Sequence, residues 1–309
     1  MSAMTTLLRR ETWEHRAIVI APSVFAGLFI VIALLAAAGA IHIQIGHYGV
    51  DLHDMLSSMD PRQLGALMQM ELGSLAVFFN LEMQLLIVFY LLDCLYAERK
   101  DRSILFWKSL PVSDLTVVVS KLLTVMVVIP LVTAAVFLVT AIGIYLISGG
   151  LALFSGSGAV LAAGPGAILE TLVVFIYAAL VQALWYLPLY GWLLLMSVWA
   201  KRSVLLWAVL PLFAATAVER MIFGTGMFGT LLRERISGVY SLAFTQPANE
   251  IAWRYETEGA DLNLELSESL IQLIDPSTFL LSPGLWGGLV AAALLTAAAV
   301  WVRRYRDET

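Results

Sequence analysis

The sequence predicts an all-α polytopic membrane protein with six transmembrane helices and both termini cytoplasmic. Three observations lead there. Hydrophobic residues make up 60% of the 309 positions and charged residues only 13%, with a mean hydropathy of +0.87. Soluble domains carry roughly 25% charged residues, and no water-soluble core of this length hides so much apolar surface. Six apolar stretches approach or exceed the ~20 residues that a helix needs to cross the hydrocarbon core. Lysines and arginines, finally, collect on alternate connections between those stretches. The single cysteine, Cys94, excludes an internal disulfide and argues against a thiolate metal cluster.

The six predicted spans cover residues 17–41, 74–96, 115–147, 168–200, 203–222 and 285–302, and the whole chain reads as one membrane domain, 1–309. The first run is too long for the h-region of a cleaved signal peptide. The third and fourth spans exceed the minimum length, which implies tilt or extension beyond the bilayer. Pro130 and Pro188 interrupt them, and each is expected to bend its helix.

Basic residues set the orientation. Arg9, Arg10, Arg16, Arg99, Lys100, Arg102, Lys108, Lys121, Lys201, Arg202, Arg303, Arg304 and Arg306 all fall on the side of the N-terminus. The opposite side holds Arg62, Arg233, Arg235 and Arg254, with Arg220 at the outer end of the fifth span. The first outer loop, 42–73, has Asp51, Asp54, Asp60 and Glu71 against Arg62. The large outer loop, 223–284, has eight acids against three arginines. Between them, 148–167 is uncharged and glycine-rich, an apolar turn.

The inner connection from Glu98 to Asp114 reads ERKDRSILFWKSLPVSD. A short amphipathic helix is expected to open at Asp101 or Arg102–Ser103, with Ile104, Leu105, Trp107 and Leu110 apolar, and to end at Pro111. Ser113 then caps the third span, and Lys121 anchors its inner end by snorkelling. From spacing alone the segment is either an ordinary basic inner loop with an interfacial helix or a docking element for another protein.

Glu98-Arg99, the short helix, Leu110-Pro111-Val112-Ser113 and Lys121 resemble the coupling-helix region of permeases in the type-2 ATP-binding-cassette (ABC) exporter family. Residues 7–16, LLRRETWEHR, are similar to that family's interfacial helix, placed here at 5–16, and the closing WVRRYRDE is similar to its usual ending. The resemblance implies a permease that pairs with a second copy and docks two ABC ATPase subunits. Docking would use Glu98, Arg99, Arg102, Ile104, Leu105, Trp107, Lys108 and Pro111. It also implies export of a hydrophobic or amphiphilic substrate across a bacterial inner membrane, with no nucleic-acid partner. The chain has no G-x-x-x-x-G-K-[ST] phosphate loop, so ATP and Mg are expected on the partner, and no catalytic residue and no cofactor of its own are assigned.

Polar residues inside the bilayer are few, and three share one stripe. Glu71, Glu82 and Asp93 recur every eleven residues, which returns to nearly the same helix face, and Phe78 and Phe89 lie along it. Asn80 and Gln84 lie on the opposite side, so this span belongs at a dimer seam or cavity. Glu82, Asp93, Asn80 and Gln84 are the candidate substrate-path residues. Glu82 either recognises a cationic or amphiphilic cargo or is a protonated carboxyl locking helices together. Glu170 and Gln182 in the fourth span carry the same two readings, and its aromatic residues read as an interfacial belt. His42, His47 and His53 lie among acids in the first outer loop but match no tight ligand pattern, so a solvated polar loop is favoured and no metal site is assigned. The stretch 261–275 is expected to form an amphipathic helix on the outer leaflet or over the pore exit.

Two other functions compete. One is a proton-coupled secondary transporter relaying through Glu82 and Asp93, against which stands the lack of visible inverted repeats. The other is a membrane sensor or scaffold that acts through the inner loop without transport.

Overall fold

A computed structural model describes residues 3–38, 44–45, 48–49, 61–101, 112–154, 160–245 and 270–305. Helix α1 (Ala3–Glu14) leads into α2 (Ala17–Ala37), then α3 (Pro61–Lys100) and α4 (Asp114–Leu123). A π-turn (Thr124–Val128) joins α4 to α5 (Ile129–Phe154), followed by α6 (Val160–Trp185), α7 (Leu187–Trp199) and α8 (Val204–Phe223). Short helices α9 (Met227–Ser237), α10 (Val239–Ala243) and α11 (Pro276–Leu281) precede the last crossing, α12 (Pro283–Tyr305). Among the described residues six helices are long and apolar enough to span a membrane. The face on which Glu11, Glu98, Lys121 and Arg303 meet is called the terminal face, and the opposite one the distal face.

Regular α-helix is interrupted just before both Pro130 and Pro188, and each interruption has a local cause. Pro130 has no N–H to donate, and its ring crowds the carbonyl of Met126, four residues back. The π-turn lies across that residue and absorbs the misfit, joining α4, the turn and α5 into one long crossing. In the fourth crossing the helix breaks at Tyr186, two residues before Pro188, while Tyr186 N still donates to Gln182 O at 2.8 Å. Ser113 caps α4 as expected, its Oγ accepting from Thr116 N at 3.1 Å.

Helix α3 is the centre of the bundle, touching α2, α5, α6, α7 and α8. Around it two apolar cores are stacked. The terminal core joins Ile18, Met83, Tyr90, Leu91, Val118, Leu194 and Val198; the distal core joins Leu72, Phe79, Phe137, Ile144 and Phe175. Phe79 sits edge-on to Phe137 and Phe25, and Phe137 stacks on Phe175 at 5.0 Å. The most extensive pairing is α7 with α12, where a Cβ on Gly191 would lie 3.1 Å from Leu295 Cβ and 3.3 Å from the Ala292 carbonyl. By contrast α2 and α8 sit at the periphery, most of their side chains facing outward.

On the distal face, α9 and α10 fold back onto the fourth and sixth crossings. Arg235 lies 4.1 Å over the Trp185 ring, donates to Gly284 O at 2.7 Å and to Trp185 O at 3.2 Å, and returns a carbonyl to Trp185 Nε1 at 2.8 Å. Phe244 pairs with Ile274, so the start and the end of the large distal segment are tied together.

Four expectations need correction. The stretch expected to be the first outer loop is helical from Pro61 onward, because α3 runs 40 residues to Lys100 without a proline after its first position. The apolar turn expected at 148–167 is largely taken up by α5 and α6. Of the amphipathic helix expected over 261–275, the described part is a 3₁₀ turn (Leu270–Leu273) followed by the extended Ile274; residues 261–269 lie outside the described residues. Lys121 does not snorkel: it is fully buried, because two carboxylates meet it inside the bundle.

Gly191→Val should force α7 and α12 apart at this contact. Overpacking of this kind costs about 1–3 kcal/mol, so the thermal midpoint in detergent is expected to fall, and to fall less in Gly191→Ala, which adds only the Cβ that meets Leu295 and the Ala292 carbonyl.

Candidate functional site

The terminal ends of four helices are joined by a chain of buried charges. Glu11 of α1, Glu98 of α3, Lys121 of α4 and Arg303 of α12 are each no more than 5% exposed. Lys121 Nζ donates to Glu11 Oε1 at 3.0 Å and pairs with Glu98 Oε1 at 2.9 Å. Glu98 Oε2 accepts from Arg303 Nη1 at 2.7 Å, and Arg303 Nε donates to Asp114 Oδ1 at 3.0 Å. Tyr90 OH closes the other end by donating to Glu11 Oε2 at 2.6 Å. Each charge meets an opposite one at hydrogen-bond distance, which makes burial tolerable in a low-dielectric interior.

A second clamp sits beside it. Arg99 Nη2 donates to the carbonyls of Ser197 and Ala200, at 2.6 and 2.7 Å, satisfying acceptors left over where α7 ends. Ser197 Oγ reaches back to donate to Leu92 O at 2.9 Å and accepts from Tyr96 N at 3.0 Å. Glu98 and Arg99 thus fix the end of α3, while Lys121 and Asp114 fix the start of α4. The connection between them is anchored on both sides to α1, α7 and α12. The other docking candidates, Arg102, Ile104, Leu105, Trp107, Lys108 and Pro111, lie outside the described residues, as do His42, His47 and His53.

Deeper in the bundle, Asn80 and Gln84 turn inward into a network of amides and phenols. Gln182 is its hub: its Nε2 donates to Asn80 Oδ1 at 2.7 Å and to Tyr240 OH at 2.5 Å, and its Oε1 accepts from Gln84 Nε2. Tyr190 OH donates to Gln84 Oε1 at 3.0 Å, and Tyr240 OH to Asn80 Oδ1 at 3.1 Å. Tyr240 comes from α10, so the network also ties the distal segment to the membrane core. In such an interior an unmatched amide is costly, and mutual pairing is the cheaper state. Glu170 stands apart, its Oε1 accepting from Ile271 N at 3.3 Å.

The acid stripe faces the other way. Glu71, Phe78, Phe89 and Asp93 are exposed on the side of α3 that the other helices leave open. Glu82 shares that side half-buried, and neither of its shielded carboxylate oxygens has a hydrogen-bond partner. The two-sided polarity expected of this span is therefore present. Asn80 and Gln84 serve the packing of one side, and Glu71, Glu82 and Asp93 line the other.

Sequence reasoning missed Glu11, Asp114, Arg303 and Tyr240 as members of these networks. A signal existed for Glu11, which stands one turn after the buried Leu7 on the same face of α1. None existed for Tyr240, which is brought in by the fold of the distal segment. No family model, no curated protein and no solved structure matches the chain. The class of protein defined here is a polytopic helical membrane protein with a charge-locked terminal face.

Replacing Lys121 by Met leaves Glu11 and Glu98 facing each other without their shared cation. Breaking a buried pair this way costs about 3–5 kcal/mol, read as a lower denaturation midpoint in detergent. Adding Glu11→Gln to Lys121→Met should recover part of the loss, because Glu98 keeps Arg303; a double variant no more stable than Lys121→Met alone would show the groups to be uncoupled.

His15 supplies a pH dependence. Its ring stands edge-on to Tyr90 at 4.8 Å and 3.9 Å from Glu11 Oε2. Burial lowers its pKa below the ordinary 6.5, outweighing Glu11, Asp93 and Glu14, which pull upward, and reinforced by Lys121. A depressed histidine binds its proton more readily in the unfolded chain, so stability is complete above pH ~6.5 and falls as the pH drops below it. His15→Gln should flatten the stability profile between about pH 7 and pH 5, measured as thermal midpoint against pH.

Proposed function

We propose that this chain is the membrane-spanning half of an ATP-driven exporter, working as a pair of permeases with a separate nucleotide-hydrolysing subunit on each. The observation that carries this reading is the double anchoring of the short connection between α3 and α4. Its two ends are fixed by buried charges to α1, α7 and α12. A force applied to residues 102–111 would therefore move several crossings as one body. A loop that only joined two helices has no need of four buried charges around its ends. The resemblance of this same connection to the coupling helix of type-2 ABC exporters supports the reading from the sequence side.

In this mechanism Trp107 and its apolar and basic neighbours seat in a groove of the ATPase subunit. ATP binding draws the two subunits together and carries the two anchored connections with them. The ionic chain transmits that displacement to α3 and α12, and the π-turn before Pro130 lets α5 bend relative to α4. The open face of α3, where Phe78, Glu82, Phe89 and Asp93 follow one another, then lines the seam between the two copies and meets the cargo. An amphiphile with a cationic group fits a stripe that alternates aromatic rings and carboxyls. The proteins sit in the bacterial inner membrane with the terminal face toward the cytosol, where the basic residues collect.

The shielded, unpartnered carboxyl of Glu82 favours a second reading, proton-coupled transport through Glu82 and Asp93. One comparison separates the two. Under the exporter reading the chain co-purifies with a P-loop ATPase subunit, the complex shows vanadate-sensitive hydrolysis, and Trp107→Asp releases the subunit without lowering the thermal midpoint of the permease. Transport that survives Trp107→Asp but is abolished by a protonophore and by Glu82→Gln would sink the exporter and leave the secondary transporter.

A further inference from the structure

A groove of about 620 Å³ opens on the distal face between the end of α8 and the overlying α9, within the range of small-molecule sites. Its lining joins the apolar Phe213 and Ala217 and the threonines Thr216, Thr225 and Thr230 with the cationic Arg220 and Arg233. Phe213 is 71% exposed and lies seven residues before Arg220, about 10 Å deeper along the helix axis. Met221, Ile222 and Phe223 at the end of α8 are also exposed. The groove therefore brings apolar and cationic side chains together at the distal end of α8.

The two arginines have no carboxylate partner among the described residues. The nearest acid in sequence, Glu219, is turned to another task. Its Oε1 accepts from Thr225 Oγ1 at 2.8 Å and Met227 N at 2.9 Å, and its Oε2 from Phe228 N at 2.9 Å, so it caps α9. Gly224, at φ +64°, turns the chain at this point, and a side chain added there or at Gly226 would meet nothing within 4 Å. The turn thus leaves the mouth of the groove clear. Two exposed arginines that line one groove beside apolar residues, with no carboxylate partner among the described residues, present a surface that fits an anion. Guanidinium forks match phosphate oxygens in geometry as well as in charge.

We propose that this groove binds an amphiphile by its anionic phosphate head group, with Arg220 and Arg233 holding the phosphate and Phe213 the first carbons of the apolar chain. The site stands whether or not a nucleotide motor drives the protein. It is also separate from the acid stripe of α3, which would repel the same head group.

The test uses the full chain in detergent, with bound lipid counted by native mass spectrometry after equilibration with phosphatidylglycerol or phosphatidylcholine. The parent should retain phosphatidylglycerol in preference by on the order of tenfold, and Arg220→Gln with Arg233→Gln should bring the ratio close to one. Phe213→Ser should weaken retention of both lipids. A double variant that keeps the parent's thermal midpoint and its lipid preference overturns the proposal. So does saturable, arginine-dependent binding of inorganic phosphate that excludes phosphatidylglycerol, which would make the occupant a soluble anion.

Discussion

The shared ammonium of Lys121 is the constraint on which the terminal half of the molecule depends. It is buried, and it can stay charged there only because Glu11 and Glu98 arrive from different helices at 3.0 and 2.9 Å. That condition places α1, α3 and α4 at once. Glu98 then has a second oxygen to satisfy, and Arg303 meets it at 2.7 Å, which places α12; Arg303 in turn engages Asp114. Apolar packing in a bilayer is poorly directional, since lipid tails are as apolar as the side chains they replace. Charges that must be matched atom by atom supply the register that packing alone leaves loose.

The polar network around Gln182 does the same work for the distal half. Its partners come from α3, α7 and α10, so one amide fixes how the fourth crossing sits against the second and how the distal segment sits on both. Between the two networks the crossings are held by aromatic stacking and by glycine-permitted contact. Of the six crossings, the two that join neither network, α2 and α8, are the most exposed at the edge of the bundle. Where polar pairing is absent, coverage within the chain is also thin. Those faces are left for lipid or another copy.

Much of this architecture was legible in the sequence. Apolar runs of bilayer length identified the six crossings, because in hydrocarbon a helix must satisfy its own backbone and little else decides the element. Pro130 and Pro188 announced where regular α-helix is interrupted, and the 11-residue spacing of Glu71, Glu82 and Asp93 announced a two-sided α3. Partnership was the hidden quantity. Lys121 read as a snorkelling anchor because position in a span says how far a lysine is from water, not whether two glutamates await it. Glu98 and Arg99 read as docking residues because they flank the inner connection; only the fold shows their side chains engaged inside, gripping Lys121, Arg303 and the end of α7. Asn80 and Gln84 looked like lining residues for the same reason, since Tyr240 lies 160 residues from Asn80 and no local pattern joins them.

The distribution of charge by depth ties these features together. On the terminal face basic residues are numerous, yet those drawn inside the bundle are neutralised by acids that other helices bring. On the distal face Arg235 is taken up by the Trp185 ring and two carbonyls, while Arg220 and Arg233 have no carboxylate partner among the described residues. The difference follows from geometry. Buried cations must find partners within the chain or the fold is lost, whereas cations at the rim of a membrane slot are hydrated and carry little penalty when unpaired. Internally matched charge at one end, and charge without a carboxylate partner among the described residues at the other, give the two faces of the bundle different chemistry.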